Sequence, residues 1–252
     1  MIPFCSKSAL IVLYNRAAVS LSWCAVLDLA GNLSNSFEYA KKLFSDFGRL
    51  LILIVLNVIP VVNWIVTGYA ARVLRESPGA DAPPKLEDYG KLFVEGAKIF
   101  FASLIYMIIP LIIIVAGLGS FFAGMVTGGG QGFMPSPVAP NMMGLLSGTG
   151  LVLVLIGAVI AFVMLILLAA GIAHMIKTDK FSKAFAFGEI LGIIKKIGWG
   201  KYIAWIILVA VIAIIVGAIT GAIPYVGWLI SVIIGPGVIV FFFRSLGLLY
   251  SE

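Results

Sequence analysis

The chain has 252 residues, of which 62% are hydrophobic and only 11% charged, and its formal net charge is +6. A soluble globular domain carries about a quarter charged residues, so the composition points away from that class and toward a multipass helical membrane protein. Short alternating segments of the kind that build an outer-membrane barrel are absent from the pattern. The basic excess predicts contact with the bilayer, and with anionic lipid on its cytoplasmic side, because no soluble segment is long enough to offer nucleic acid a basic face.

Residues 1–27 are ambiguous. The uncharged stretch Ala17–Leu27, bounded by Arg16 and Asp28, is well short of the ~20 residues a span needs. The expectation is an N-terminal extension or a start-site artefact, with an interfacial helix or a signal segment behind Lys7 as alternatives. Cys5 and Cys24 have no metal-like spacing and read as free thiols. Residues 28–252 are expected to form one integral membrane domain.

Asn35 followed by Glu38 reads as a capping box that opens an amphipathic surface helix, with Phe37, Ala40, Phe44 and Phe47 on its apolar side. The uncharged run Leu50–Ala71 carries Pro60 near its middle, within Ile59-Pro60-Val61-Val62-Asn63-Trp64. A proline there removes a backbone donor and clashes with the preceding turn, so the run is either kinked or folded into a re-entrant hairpin. Pro84 suits the start of a second surface helix lined by Leu86, Tyr89, Leu92, Phe93, Gly96 and Phe100.

No Asp, Glu, Lys or Arg occurs from Ile99 to Ile176. This length divides into spans at Ile99–Leu118 and Leu145–Ile176 around a Gly/Pro-rich loop, Gly119–Gly144. Its glycine cluster lacks the lysine and hydroxyl pair of a phosphate-binding loop. A third surface helix follows, with Phe181, Ala184, Phe185, Gly188 and Leu191 as its stripe. The last uncharged run, Tyr202–Phe243, is expected to hold two spans that turn at Ile223-Pro224-Tyr225-Val226-Gly227-Trp228. Each Pro-centred run closes on an arginine, Arg72 and Arg244, and the order of features suggests two weak repeats, at about 36–118 and 145–252. The predicted fold class is therefore all-α: a polytopic helical membrane protein with a duplicated Pro-centred hairpin and amphipathic surface helices.

Lysine and arginine fall in three groups: five within residues 1–49, five within 72–98 and six within 177–201, against none in 119–144. A re-entrant Leu50–Ala71 puts all of them on the cytoplasmic side and the 119–144 loop outside. One kinked span of 22 residues fits the bilayer equally well by length and puts the first two groups on opposite sides.

Phe37-Glu38-Tyr39-Ala40 leading to Ile59-Pro60, then Gly68-Tyr69 with Arg72, resembles an archaeal multipass membrane family of unknown function, domain of unknown function family 4013. Leu86-Glu87-Asp88-Tyr89-Gly90-Lys91-Leu92-Phe93-Val94-Glu95-Gly96, followed by Tyr106 and Pro110, is similar to its most recognisable segment. Phe181 with Ala184-Phe185, Ile223-Pro224 with Gly227, and Arg244 with Leu248-Leu249-Tyr250 resemble its second half. The resemblance runs from about Asp28 to the C-terminus. It implies an archaeal source and a cell-membrane location, and it brings no catalytic residues.

His174 is the only histidine. It suits an interfacial hydrogen bond better than a proton relay. No carboxylate lies in any apolar run, so coupled ion transport and intramembrane aspartyl or zinc proteolysis are not expected, and neither is a cofactor. Gly217 and Gly221 form a small-xxx-small pair suited to internal packing or to a homo-oligomer. Asn57, Asn63 and Thr67 surround Pro60 and are expected to satisfy the backbone groups it frees. Trp64 and Trp228 suit interfacial anchors, although Trp64 at a hairpin tip would pack internally. The expected function is non-enzymatic: organising or shaping the membrane, or accompanying other membrane proteins. A small-solute or lipid transporter, or a transport accessory subunit, is the alternative.

Overall fold

The computed structural model describes residues 17–127, 149–223 and 226–251. Among these the chain is helical, with no strand. The helices are α1 (Ala17–Ser45), α2 (Phe47–Val58), α3 (Trp64–Glu76), α4 (Tyr89–Thr127), α5 (Thr149–Thr178), α6 (Phe187–Ile197), α7 (Trp199–Gly221) and α8 (Gly227–Tyr250), with a 3-10 turn at Phe181–Phe185. Four stretches are long and apolar enough to cross a membrane: Tyr89–Gly119, Gly150–Thr178, Trp199–Gly221 and Gly227–Tyr250. Most of their outward residues are apolar, as with Ile112, Val159 and Ile214, a surface suited to hydrocarbon.

The helix ends follow local chemistry. Asp46 separates α1 from α2: its Oδ1 accepts from the backbone N–H of Arg49 at 3.1 Å, and its other oxygen pairs with the Arg49 guanidinium at 2.8 Å. Pro60 ends α2 early, and Val61 adopts a φ of 70° in the turn, a left-handed conformation that β-branched residues rarely take. Ser77 is extended ahead of Pro78, which stops α3. Gly198, at a φ of +100°, allows the sharp passage from α6 into α7.

Several expectations need correction. Asn35 is not a helix start, because α1 runs unbroken from Ala17 through it; the working cap is Asp46. Of the expected stripe only Ala40 is buried, alongside Leu29, Asn32, Ser36, Tyr39 and Leu43 of α1, while the rings of Phe37, Phe44 and Phe47 are exposed. The surface helix expected from Pro84 is not a separate element. Residues 83–88 are irregular, and α4 starts at Tyr89 and continues through Pro110 to Thr127. Residues 119–127 are thus helical where a loop was expected, and 128–148, with the remainder of that loop, lie outside the described residues. The third stripe is also displaced: the chain breaks at Ala186, and Ala184, Ile190 and Ile194 are buried while Phe181, Gly188 and Leu191 are exposed.

Two compact units result, residues 1–99 with 170–252 and residues 100–169. The core of the first joins Tyr39 and Leu43 of α1, Leu53 of α2, Val66, Tyr69 and Val73 of α3, Leu92 of α4, and Val240 of α8. In the second, α4 and α5 pack closely: a Cβ on Gly117 would lie 2.8 Å from the carbonyl oxygen of Gly150, and one on Gly157 would lie 3.3 Å from that of Pro110.

Candidate functional site

The candidate site lies wholly in the first unit and is built around the broken pair α2 and α3. Twelve residues of α2 and thirteen of α3 flank the turn Ile59–Asn63. Arg49 at the start of α2 donates to the carbonyls of Pro83 and Pro84 at 2.8 and 3.1 Å. Tyr69 on α3 donates to Pro84 O at 2.9 Å, and Arg72 reaches Lys85 O at 3.4 Å. Lys42 and Tyr39 of α1 donate to the carbonyls of Asp81 and Ala82, at 2.6 and 3.1 Å. The 81–85 loop is therefore a shared acceptor strip. It has few donors of its own to offer: positions 83 and 84 are prolines, so their carbonyls turn to side chains.

The asparagines beside Pro60 do not behave as expected from sequence. Asn63 occupies the N-cap position of α3 but makes no side-chain cap bond. Asn57 instead packs against α8, where its amide nitrogen lies 2.9 Å from the place a Cβ of Gly235 would take. Trp64 packs inward, its ring 5.4 Å from that of Phe93 and its carbonyl pressed on Gly96. Pro60 is exposed at the tip. In the second motif, Pro224 lies outside the described residues, and Trp228 is 69% exposed at the start of α8. Gly217 and Gly221 meet nothing within 4 Å, so they do not serve packing within the described chain. Between α3 and α4, Gly68 and Gly96 permit close approach. A Cβ on either would fall 1.8 Å from a carbonyl oxygen of the opposing helix.

Beneath this pair lies a layer of buried charge that sequence reading did not assemble. Arg244 is 3% exposed. Its guanidinium donates to Ser77 Oγ at 3.0 Å, to Pro78 O at 3.3 Å and to Asn35 Oδ1 at 3.4 Å, and lies 4.5 Å from the centre of the Tyr39 ring. Lys177 donates to the carbonyls of Arg75 and Ser77. Among the described residues no carboxylate pairs with either cation. Lys177 sits at the negative pole of α3, on the Arg75 carbonyl, while Arg244 is met by neutral oxygens, those of Ser77, Pro78 and Asn35. Burial pushes the Tyr39 phenol far above its ordinary value, partly opposed by Arg244, so the ring stays neutral and faces the cation. Next to Arg244, Ser245 Oγ donates to Asn32 Oδ1 at 2.6 Å and accepts from Trp205 Nε1 at 2.7 Å.

The layer continues through Arg75, which pairs with Glu95 at 2.6 Å and Asp179 at 3.3 Å. Glu95 is 7% exposed, and its second oxygen, Oε2, is buried without a hydrogen-bond partner. Glu95 lies between Lys91 and Lys98 in sequence, and it is buried where α4 packs against α3. His174 bonds on both sides: Nε2 lies 2.6 Å from Glu189 Oε2, and Nδ1 lies 2.9 Å from the Tyr250 hydroxyl. The carboxylate accepts only, so Nε2 carries the proton it donates, and in the neutral ring Nδ1 accepts from Tyr250. Glu189 also pairs with Lys183. These two partners hold the Glu189 carboxyl below its ordinary range.

A family model described as "Protein of unknown function (DUF4013)" matches residues 52–225, more than half of the chain. The chain belongs to the DUF4013 family. No curated protein and no solved structure matches it. The DUF4013 match takes in the second half of α2, then α3, α4, α5, α6 and α7, and so includes Gly68, Gly96, Glu95 and His174. Phe37–Ala40 and Arg244–Tyr250, which also carry the resemblance, fall outside it, and they belong to the helices that close over the α3 terminus.

Proposed function

We propose that this protein is a non-enzymatic membrane component that organises or shapes the bilayer, with α2 and α3 seated as a wedge in one leaflet of the cell membrane. The observation that carries this reading is the common loop at 81–85. Arg49 before the turn and Tyr69 and Arg72 after it are bound to one short segment, while Val58, Ile59 and Val61 at the tip are exposed and apolar. Each limb is roughly 18–20 Å long at 1.5 Å per residue, against a hydrocarbon core of ~30 Å. Asn57 meets α8 at Gly235, well inside a helix long enough to span, which suits a tip at mid-depth. In this arrangement the basic segments face the cytoplasm and the connection between α4 and α5 lies outside. Reconstitution into liposomes tests it: the intact chain should narrow or tubulate the vesicles without passing solute. Full insertion with no change in vesicle shape would rule the wedge out.

A second reading, a small-solute transporter, is favoured by Glu95. A carboxylate buried in the first turns of a spanning helix, with one oxygen unpartnered, is a residue type that membrane proteins retain for ion or proton handling. Uptake of a defined solute that Glu95→Gln abolishes would establish this reading in place of the first.

A further inference from the structure

We propose that the groove between α1, α7 and α8 holds one acyl chain of an anionic lipid, with Lys41 on the headgroup. The cavity has a volume of about 300 Å³ and is walled by Phe37 and Phe44 of α1, Ile212 and Val216 of α7, and Phe241 of α8, with Lys41 the one charged residue in its lining. Such a volume is at the lower end of what ligand sites use, and it suits a slender apolar group better than a bulky one. Phe37, Lys41 and Phe44 follow helical spacing, so they share one stripe of α1. This stripe is not the one that packs into the protein core, which explains how residues so apolar remain exposed.

The edge of the Phe44 ring stands 2.5 Å from the point where Gly237 would carry a Cβ. A larger residue at 237 would therefore push Phe44 into the cavity, and glycine keeps it open. Lys41 supplies the charge argument. Its neighbour Lys42 is committed to the Asp81 carbonyl, but Lys41 makes no ion pair or hydrogen bond among the described residues. Its aliphatic stem can lie along the groove while the ammonium reaches a phosphate at the rim. An apolar slot with a single uncommitted cation fits a chain that ends in negative charge.

This inference rests on the membrane placement and not on the wedge. Native mass spectrometry of the full chain in detergent, titrated with phosphatidylglycerol and separately with phosphatidylcholine, tests it. One phosphatidylglycerol should be retained per chain, with about fivefold preference over phosphatidylcholine, the factor expected for one lysine near an anionic surface. Lys41→Gln should erase the preference, and Val216→Trp, which fills the groove, should lose both lipids. Circular dichroism should show both variants as helical as the parent. Equal retention of the two lipids by the parent, or a preference that survives Lys41→Gln, would overturn the proposal. So would a dimer that forms without lipid and is lost in Val216→Trp, since a second copy would then be the occupant. Vesicle shape is not read in this experiment, so the wedge can fail while the lipid site stands.

Discussion

Arg49 and Tyr69 donate to the same oxygen, the carbonyl of Pro84, at 3.1 and 2.9 Å. Nineteen residues of mostly apolar chain lie between them, Pro60 among them. A continuous helix of that length would hold them roughly 30 Å apart. One acceptor bound from both sides of the turn ties the two ends of the segment together.

The first prediction follows from that tie. Single cysteines at Ser45 and at Glu76, both exposed, should show the same sidedness in intact cells once Cys5 and Cys24 are replaced. Ser77 is a poor reporter because it is 2% exposed and accepts from Arg244. An impermeant thiol reagent should leave both positions unlabelled in the parent. Labelling of one and not the other would place the two ends on opposite faces.

Gly68 and Gly96 make a reciprocal crossing. Gly68 lies on the backbone of Leu92, and Gly96 lies on the backbone of Trp64, four residues from its partner in each helix. The contact is to backbone, which has no rotamer to give. Gly68→Ala or Gly96→Ala should each cost at least ~3 kcal/mol, the upper part of the overpacking range. A melt in detergent reads this. Gly217→Ala, in open space, is the control and should be neutral or slightly stabilising, as alanine is the better helix former.

Arg244 ties the segment just after α3 to α1 across the fold. Arg244→Met keeps the length of the stem but leaves Pro78 O and Asn35 Oδ1 without their donor. A loss of about 3 kcal/mol is expected from the uncovered buried groups. Arg244→Lys should recover part of it, because an ammonium still meets the carbonyls but cannot span Ser77, Pro78 and Asn35 together. Equal stability of the Met and Lys variants would show that the charge contributes nothing there.

The Glu189 cluster sets a pH dependence. Its folded carboxyl is held below the ordinary value by Lys183 and His174. A group depressed on folding contributes stability that is present above its unfolded value, about 4.3, and is lost as pH falls through the lower folded value. Melting temperature should therefore fall on acidification below about pH 4.5. In Glu189→Gln that part of the slope should disappear. An unchanged acid limb in the variant would remove Glu189 as its source.

Much of the architecture was legible without coordinates. The break at Pro60 was readable because a missing N–H and a ring clash are properties of the residue itself. The spans were readable because hydrocarbon demands ~20 apolar residues, and only a few stretches supply them. Local capping was less secure. Asn35 carries the right side chain for a cap, but its oxygen is used by Arg244, some 209 residues away, and Asp46 does the capping instead.

The sequence by itself determined the class of the molecule, the break at Pro60, and the basic character of the segments outside the apolar runs. These follow from nearest neighbours and from the solvent, so they need no partner. Only the tertiary structure decided which polar residues are buried. Arg72 and Arg244 both end an apolar run, but Arg72 sits beside the exposed Asp88 at 3.6 Å while Arg244 is enclosed. Glu95 and Lys98 are one turn apart on α4, but Glu95 is buried against Arg75 and Lys98 is only half-buried. Burial of a charge is set by what arrives from elsewhere in the chain: here, the carbonyl end of α3 and the guanidinium of Arg75. No spacing along one helix encodes that arrival.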